Sequence, residues 1–218
     1  CAATALCGYE EGKATIVHEF AHVAEGYCTY KIKYNENTNK DIMCHDFDGI
    51  LFSKAKSIFS EYFAQIIAFP YYFDQEILDN HIFHISEQLD AVDSFLRLEI
   101  KKYRFHANVG IIWPLAIAEL SRVFDQMGRS IGLISCLKKD DEFKEKWECL
   151  LNRISKTNPL WVPIMTEMFD ALVEFGVENI EKDSFLPLTV IIEKGYHAAG
   201  FVPERLDDGS LYIKIPFC

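Results

Sequence analysis

The chain has 218 residues, of which 50% are hydrophobic and 25% charged, and its formal net charge is −11. These ordinary globular proportions exclude a disordered or low-complexity chain, and the length fits one domain with or without a helical extension. The acidic balance lacks the basic surface with which proteins displace counterions from nucleic acid, and it suits an anionic membrane no better. We therefore expect neither nucleic acid nor a membrane as a partner.

The cysteines and the apolar runs bear on the compartment. Seven scattered cysteines with no Cys-x-x-Cys pair indicate free thiols in a reducing compartment rather than a disulfide framework. The densest apolar run, residues 109–118, is shorter than the roughly 18–20 residues that span a bilayer. No basic segment followed by an apolar one is visible at the start, so we expect a cytoplasmic protein. The chain begins with Cys1 and not with methionine, so this prediction allows for a missing N-terminal portion.

The elements predicted in the first half are mainly helices. We expect a short strand at residues 2–7, a helix over residues 13–30, and a polar loop over residues 31–48 with a short strand at residues 30–34. A second helix covers residues 51–69 and is expected to stop at Pro70. A third starts at Gln75 or Ser86 and ends near residue 107. Its predicted buried stripe is formed by Leu89, Val92, Leu96, Ile100 and Tyr103.

The second half continues with shorter helices and ends in a strand. A fourth helix is predicted from Trp113–Pro114 to Met127–Gly128, a fifth over residues 141–154, and a sixth from an Asn158–Pro159 start to Gly176. A seventh starts at residue 184 or 187 and ends near residue 199. The alternating segment 211–217, after the Asp208–Gly209 turn, predicts a terminal edge strand. The predicted fold class is mainly α (α+β), with little sheet.

One motif on the first clear helix carries chemistry: His18-Glu19-Phe20-Ala21-His22. Residues i and i+4 lie one turn apart on one helix face, so both imidazoles can point at one tetrahedral zinc ion. Glu19 projects to the side, where it can take a proton from a water that attacks a carbonyl. The apolar residues around the motif are expected to anchor this helix in a core: Ile16, Val17, Phe20 and Val23.

A catalytic zinc ion also needs a third protein ligand and an open position. The best candidate is Glu61, within Phe59-Ser60-Glu61-Tyr62-Phe63-Ala64-Gln65, because a carboxylate among large apolar residues is costly to bury without a partner. Gln65, one turn further on, lies on the same face and can orient that carboxylate. Asp41, His45 and Asp46 remain as alternative third ligands, and Glu61 itself also fits the polar stripe of an ordinary amphipathic helix.

These two motifs resemble the zincin metallopeptidases of the gluzincin branch, in particular the compact ImmA/IrrE-like and toxin-type peptidase domains. The matching stretch covers residues 14–70. The resemblance implies that His18, His22 and Glu61 bind Zn²⁺ and that Glu19 is the general base. It also implies a zincin-like core over residues 1–75 with a small or truncated β-sheet. The helices predicted over residues 76–218 lie outside the resemblance, and we expect them to form a helical extension that packs as one unit with the core. The metzincin pattern is excluded, because Glu25 and Cys28 stand where it has Gly and His.

The resemblance makes a zinc-dependent metallopeptidase that acts on a peptide or protein substrate the leading hypothesis. A catalytically silent zincin-like module that regulates or binds a partner protein is the alternative, and a helical structural domain with a fortuitous pentapeptide is a third. The sequence does not rank the donors that could stabilise an oxyanion: Tyr62, Tyr71, Tyr72, His45, His81, His84 and His106. His81 and His84, three residues apart, are also a candidate pair for a second metal.

Overall fold

The computed structural model describes residues 15–23, 47–72, 75–137, 141–175 and 182–216. Within these ranges the chain forms seven α-helices and one small sheet, which confirms the predicted class. The helices are α1 (residues 15–23), α2 (Phe47–Tyr72), α3 (Gln75–His106), α4 (Val109–Ser135), α5 (Asp141–Thr157), α6 (Trp161–Glu174) and α7 (Leu186–Ala198). A 3₁₀ turn, Lys182–Phe185, precedes α7, and the strands are β1 (Val202–Arg205) and β2 (Leu211–Lys214). The strands predicted at residues 2–7 and 30–34 lie outside the described residues.

Helix α4 is the centre of the packing. It lies against α2 and α3 over most of its length, while α5 packs on α3, and α7 packs on both α2 and α6. Its inward face repeats every three or four residues, as expected for a helix that buries one side. The residues of that face include Ile112, Ala116, Leu120, Val123, Phe124, Met127, Ile131 and Ile134. One buried hydrophobic cluster runs through these helices, so α2 is held firmly against the core.

Two glycines allow α2 and α4 to approach until their backbones touch. A Cβ atom on Gly128 would lie 2.6 Å from the carbonyl oxygen of Ile58, and one on Gly132 would lie 2.7 Å from that of Tyr62. The predicted end of the fourth helix at Gly128 is therefore wrong: α4 continues to Ser135, because this glycine serves close helix packing rather than termination.

The two prolines expected to bound helices lie inside them instead. Pro70 is exposed and α2 runs on to Tyr72, while Pro114 lies in the second turn of α4, which starts at Val109. A proline removes one backbone hydrogen bond, and packing of the rest of the helix outweighs that loss near an end. At Pro114 the carbonyl left without its helical donor belongs to Gly110, whose position is exposed to water.

The remaining boundaries follow the predictions with two corrections. The second helix begins at Phe47 and not at residue 51, so it takes in the end of the predicted polar loop. The third helix takes its longer predicted form, α5 and α7 lie where expected, and Leu89, Val92 and Leu96 are buried as predicted. The sixth helix begins at Trp161 and not at Asn158, because the Asn158 amide donates a hydrogen bond to Asp90 on α3 instead of capping.

The sheet is a C-terminal hairpin. β1 pairs with β2 in antiparallel register, with Pro203 opposite Ile213, and Gly209 adopts a φ of 80° in the connecting turn. The terminal strand was predicted and its partner β1 was not. No helix among the described residues combines the length and the apolar character needed to cross a membrane.

Candidate metal centre

Helices α1 and α2 bring the two sequence motifs together. His18 is buried and His22 is half-buried on α1, and both face Glu61 on α2. Ala21 is the other buried residue of α1. Three apolar side chains expected to anchor this helix are exposed instead: Ile16, Phe20 and Val23. That expectation was wrong, because α1 docks through its histidine face and not through its apolar one.

Three ligand atoms converge at this contact. His18 Nε2 lies 3.1 Å from Glu61 Oε2 and 3.0 Å from His22 Nε2, and His22 Nε2 lies 3.7 Å from the same Glu61 oxygen. Among the described residues, this is the one group of three or more His, Cys, Asp and Glu side chains that could hold a metal ion. The histidine rings stand edge-on, with 4.6 Å between their centroids.

The spacing of these atoms fits a tetrahedral ion. Ligands at about 2.0–2.1 Å from zinc in tetrahedral geometry are about 3.3 Å apart, close to the separations between these three atoms. Two imidazoles and one carboxylate are also a donor set that catalytic zinc uses. The site therefore fits zinc in both chemistry and geometry.

Ser60 lies beside the ring nitrogen of His22 that faces away from Glu61. Its hydroxyl oxygen is 3.0 Å from His22 Nδ1. In the form that binds a metal, the proton of His22 would be on Nδ1, where it can be donated to this oxygen, and Nε2 would be left as the ligand. His18 differs, since its Nδ1 is buried and has no hydrogen-bond partner among the described residues.

Arg129 on α4 binds the Glu61 carboxylate through two hydrogen bonds. Its Nε donates to Oε2 at 2.7 Å and its Nη2 donates to Oε1 at 3.1 Å, which is the two-pronged geometry typical of arginine and carboxylate. Burial alone would raise the pKa of Glu61, but hydrogen bonds from His18, His22 and Arg129, with the charge of Arg129, hold that pKa well below its usual range. Glu61 is therefore an anion in this arrangement.

Glu19 stands at the edge of the same group. It precedes His22 by less than one turn and is exposed, so water can reach its carboxylate. Burial would lower the pKa of Arg129, but the hydrogen bond and charge of Glu61 raise it, as do the charges of Asp125 and Glu19. Glu19 thus lies close enough to the centre for its charge to act on Arg129.

His81 on α3 is a candidate to donate a hydrogen bond to an oxyanion, and it interacts with the charges of Arg129 and His18. Its Nδ1 lies 2.9 Å from the amide nitrogen of Gln126 on α4. Burial, and then the charges of Arg129, His84 and His18, lower its pKa to about 4, so the imidazole is neutral at pH 7. If the Gln126 amide donates to Nδ1, the remaining proton is on Nε2, where it can be donated to a ligand.

The other candidates are placed elsewhere or are not described. Tyr62 is buried in the core, and His84 and His106 are exposed on α3. His84 lies 3.9 Å from Glu87, and His81 Nδ1 faces Gln126; the suggested His81–His84 metal pair stays a prediction. Gln65 is buried where α2 meets Gly132, and its role in orienting Glu61 stays a prediction. Five candidates lie outside the described side chains: Asp41, His45, Asp46, Tyr71 and Tyr72.

Sequence reasoning missed Ser60 and Arg129. Ser60 is adjacent to Glu61, so its place beside the ligand could have been read from the helix. Arg129 is 68 residues from Glu61, and its only signal was the Gly128-x-x-x-Gly132 spacing that brings its helix close. No protein-family model, no curated protein and no solved structure matches this chain. The likeness to the zincins therefore rests on the residues themselves.

Proposed function

We propose that this protein is a zinc-dependent metallopeptidase that hydrolyses peptide bonds. His18, His22 and Glu61 would hold the metal, and Glu19 would be the general base. The observation that carries the proposal is the convergence of His18 Nε2, His22 Nε2 and Glu61 Oε2 from helices far apart in sequence. Two imidazoles and one carboxylate whose ligand atoms lie 3.0–3.7 Å apart are a donor set that suits a divalent cation.

The residues divide the work between binding and proton transfer. Bound zinc would act as a Lewis acid and would lower the pKa of water, as it does in metalloproteases generally. Ser60, whose hydroxyl oxygen lies 3.0 Å from His22 Nδ1, would orient this ring, and the ionised Glu61 would supply the negative charge that a divalent cation needs. Glu19 would take the proton of the attacking water and deliver it to the leaving amine. The neutral His81, which interacts with the charges of Arg129 and His18, would be a candidate to donate a hydrogen bond to the developing oxyanion.

A second candidate function has its own support in Arg129. This side chain satisfies the Glu61 carboxylate with two hydrogen bonds, so the group is stable without any metal. A catalytically silent zincin-like module that binds a partner protein is compatible with that arrangement. The two candidate functions differ in whether the protein hydrolyses peptide bonds.

The deciding experiment compares the wild type with Glu19→Gln and His18→Ala. Metal content is measured by elemental mass spectrometry after dialysis, and activity is measured on a broad library of quenched fluorescent peptides. We expect about one zinc per chain in the wild type and in Glu19→Gln. Peptide turnover should fall by about 10²–10⁴-fold in Glu19→Gln, because Gln keeps the shape of Glu but cannot take a proton. His18→Ala should lose both metal and activity.

Each alternative has a distinct result. Zinc without turnover in the wild type supports the silent module. Turnover that survives Glu19→Gln refutes the assignment of the general base. Absence of zinc from the wild type removes the peptidase proposal and leaves Glu61 as the partner of an arginine.

A further inference from the structure

We propose that Arg129 is a positioning residue that holds Glu61 as a one-oxygen metal ligand and so keeps a coordination position open. The inference rests on the metal site of the proposed function and is independent of peptidase activity. It is based on two observations: the two carboxylate oxygens of Glu61 have different sets of neighbours, and α4 is packed tightly against α2.

Both oxygens of Glu61 accept a hydrogen bond from Arg129, but only Oε2 also faces the histidines. Oε2 lies 2.7 Å from Arg129 Nε and 3.1 Å from His18 Nε2, while Oε1 accepts from Arg129 Nη2 at 3.1 Å. A carboxylate that binds a metal through both oxygens must turn them to the ion together. The Nη2 bond to Oε1 opposes that rotation, so Oε2 alone is presented to the ion.

The shape of the guanidinium matters as much as its charge. Nε and Nη2 are two donors in one rigid plane, and together they fix the plane of the carboxylate. A lysine would supply the same charge from a single flexible ammonium group, which cannot fix that plane. Arg129→Lys therefore keeps the positive charge beside Glu61 and removes the group that fixes the plane of its carboxylate.

The packing of α4 against α2 fixes the backbone position of Arg129. Gly128, its neighbour in sequence, and Gly132 lie against the backbone of α2. One turn earlier, Lys54 of α2 lies 2.9 Å from both carboxylate oxygens of Asp125, and the Ser57 hydroxyl donates to Asp125 at 2.8 Å. These contacts prevent α4 from sliding along α2, so the backbone of Arg129 keeps a fixed position relative to Glu61.

Charge and position have opposite effects on metal affinity. The positive charge of Arg129 repels a cation, while its hold on Glu61 orients a ligand. If position dominates, Arg129→Lys keeps the repulsion and loses the orientation, and Arg129→Met loses both. The affinity for zinc should then fall in the order wild type, Arg129→Met, Arg129→Lys. If charge alone acts, Arg129→Lys matches the wild type and Arg129→Met binds more tightly.

The test measures metal binding and coordination geometry in the full chain. Zinc affinity is determined by competition with a chromophoric chelator, and coordination is read from the visible absorption of the Co²⁺-substituted protein, which is stronger for four ligands than for five or six. Arg129→Lys should weaken zinc binding about 10–100-fold, the usual cost of removing a residue that orients a ligand, and should reduce the Co²⁺ absorption. The matched control is Arg122→Met, since Arg122 lies on the same helix, is exposed and pairs with Glu119 at 3.0 Å. It should change neither quantity.

The results separate this inference from the proposed function. Identical zinc affinity and Co²⁺ spectra for wild type and Arg129→Lys would overturn it, whatever the peptidase activity. A changed spectrum in a protein that cleaves no peptide would support it while the peptidase proposal falls. If the Arg129 variants lose their helical circular dichroism, X-ray absorption of the zinc-loaded wild type decides, because a short distance from zinc to the Glu61 carboxylate carbon, as two-oxygen binding requires, contradicts one-oxygen binding. A wild type that binds neither metal refutes both proposals.

Discussion

The contact between α2 and α4 makes a sharp prediction for Gly128→Ala. The new Cβ atom would lie 2.6 Å from the Ile58 carbonyl oxygen, and ordinary van der Waals contact begins at 3.4 Å. One of the two backbones must therefore move by about 0.8 Å, since the blocking atom belongs to the main chain and cannot rotate away. The two helices must separate along the line that joins them.

Two opposing terms set the magnitude. Replacing Gly by Ala inside a helix gains about 0.8–1.0 kcal/mol of helix propensity. Overpacking a well-packed contact costs about 1–3 kcal/mol and sometimes more, and a main-chain clash belongs at the upper end. The expected net result is a loss of about 1–2 kcal/mol in the free energy of unfolding.

The measurement is urea unfolding followed by circular dichroism, with Gly110→Ala as the matched control. Gly110 lies in the same helix, but its new Cβ would meet only the Asn108 side-chain oxygen at 3.1 Å, which can turn aside. Gly110→Ala should thus be neutral or stabilising by up to about 1 kcal/mol. A Gly128→Ala protein as stable as the wild type would refute the argument that these backbones touch.

Two further predictions concern side chains around the site. Ser60→Ala removes the hydroxyl that lies 3.0 Å from His22 Nδ1 and should weaken zinc binding about tenfold. Ser53→Ala, at an exposed position of the same helix, should not, and equal affinities for wild type and Ser60→Ala would show that Ser60 does not support the site. The pKa of His81 is lowered to about 4, against 6.5 for the free side chain, so the unfolded chain takes up the proton first as pH falls. The stability that this histidine contributes is fully present above pH 6.5 and is lost progressively toward pH 4, by about 2–4 kcal/mol in all. Urea unfolding at pH 7 and pH 5 with a chelator present should show a smaller pH effect in His81→Gln than in the wild type or in His106→Gln, and an unchanged pH effect would count against the buried, neutral imidazole.

The candidate ligands could be predicted from the sequence because their signals are local. The spacing of His18 and His22 on one helix face, and a glutamate among aromatic residues at Glu61, each need only one helix to be recognised. The structure brings all three together. Their role as zinc ligands stays a prediction.

The features that were missed depend on contacts between distant segments. Gly128 is a helix terminator by local rules and a packing residue in the fold, and only the proximity of Ile58 decides between the two. Arg129 carries no local mark of its place beside Glu61. Strand β1 is four residues long and contains Pro203, so its pairing depends on β2 and not on its own pattern.

The way in which α1 docks implies that metal binding would also affect the conformation of the chain. Only His18 and Ala21 of this helix are buried, so the candidate ligands are also a large part of what attaches it to the bundle. His18 and Glu61 are 43 residues apart, and an ion shared between them would cross-link the chain around the intervening segment. A cross-link of that kind restricts the conformations in which α1 is detached from the bundle, and it leaves the docked conformation unchanged. Zinc would then be a reversible cross-link, and the concentration of metal would determine the fraction of molecules in which α1 is docked.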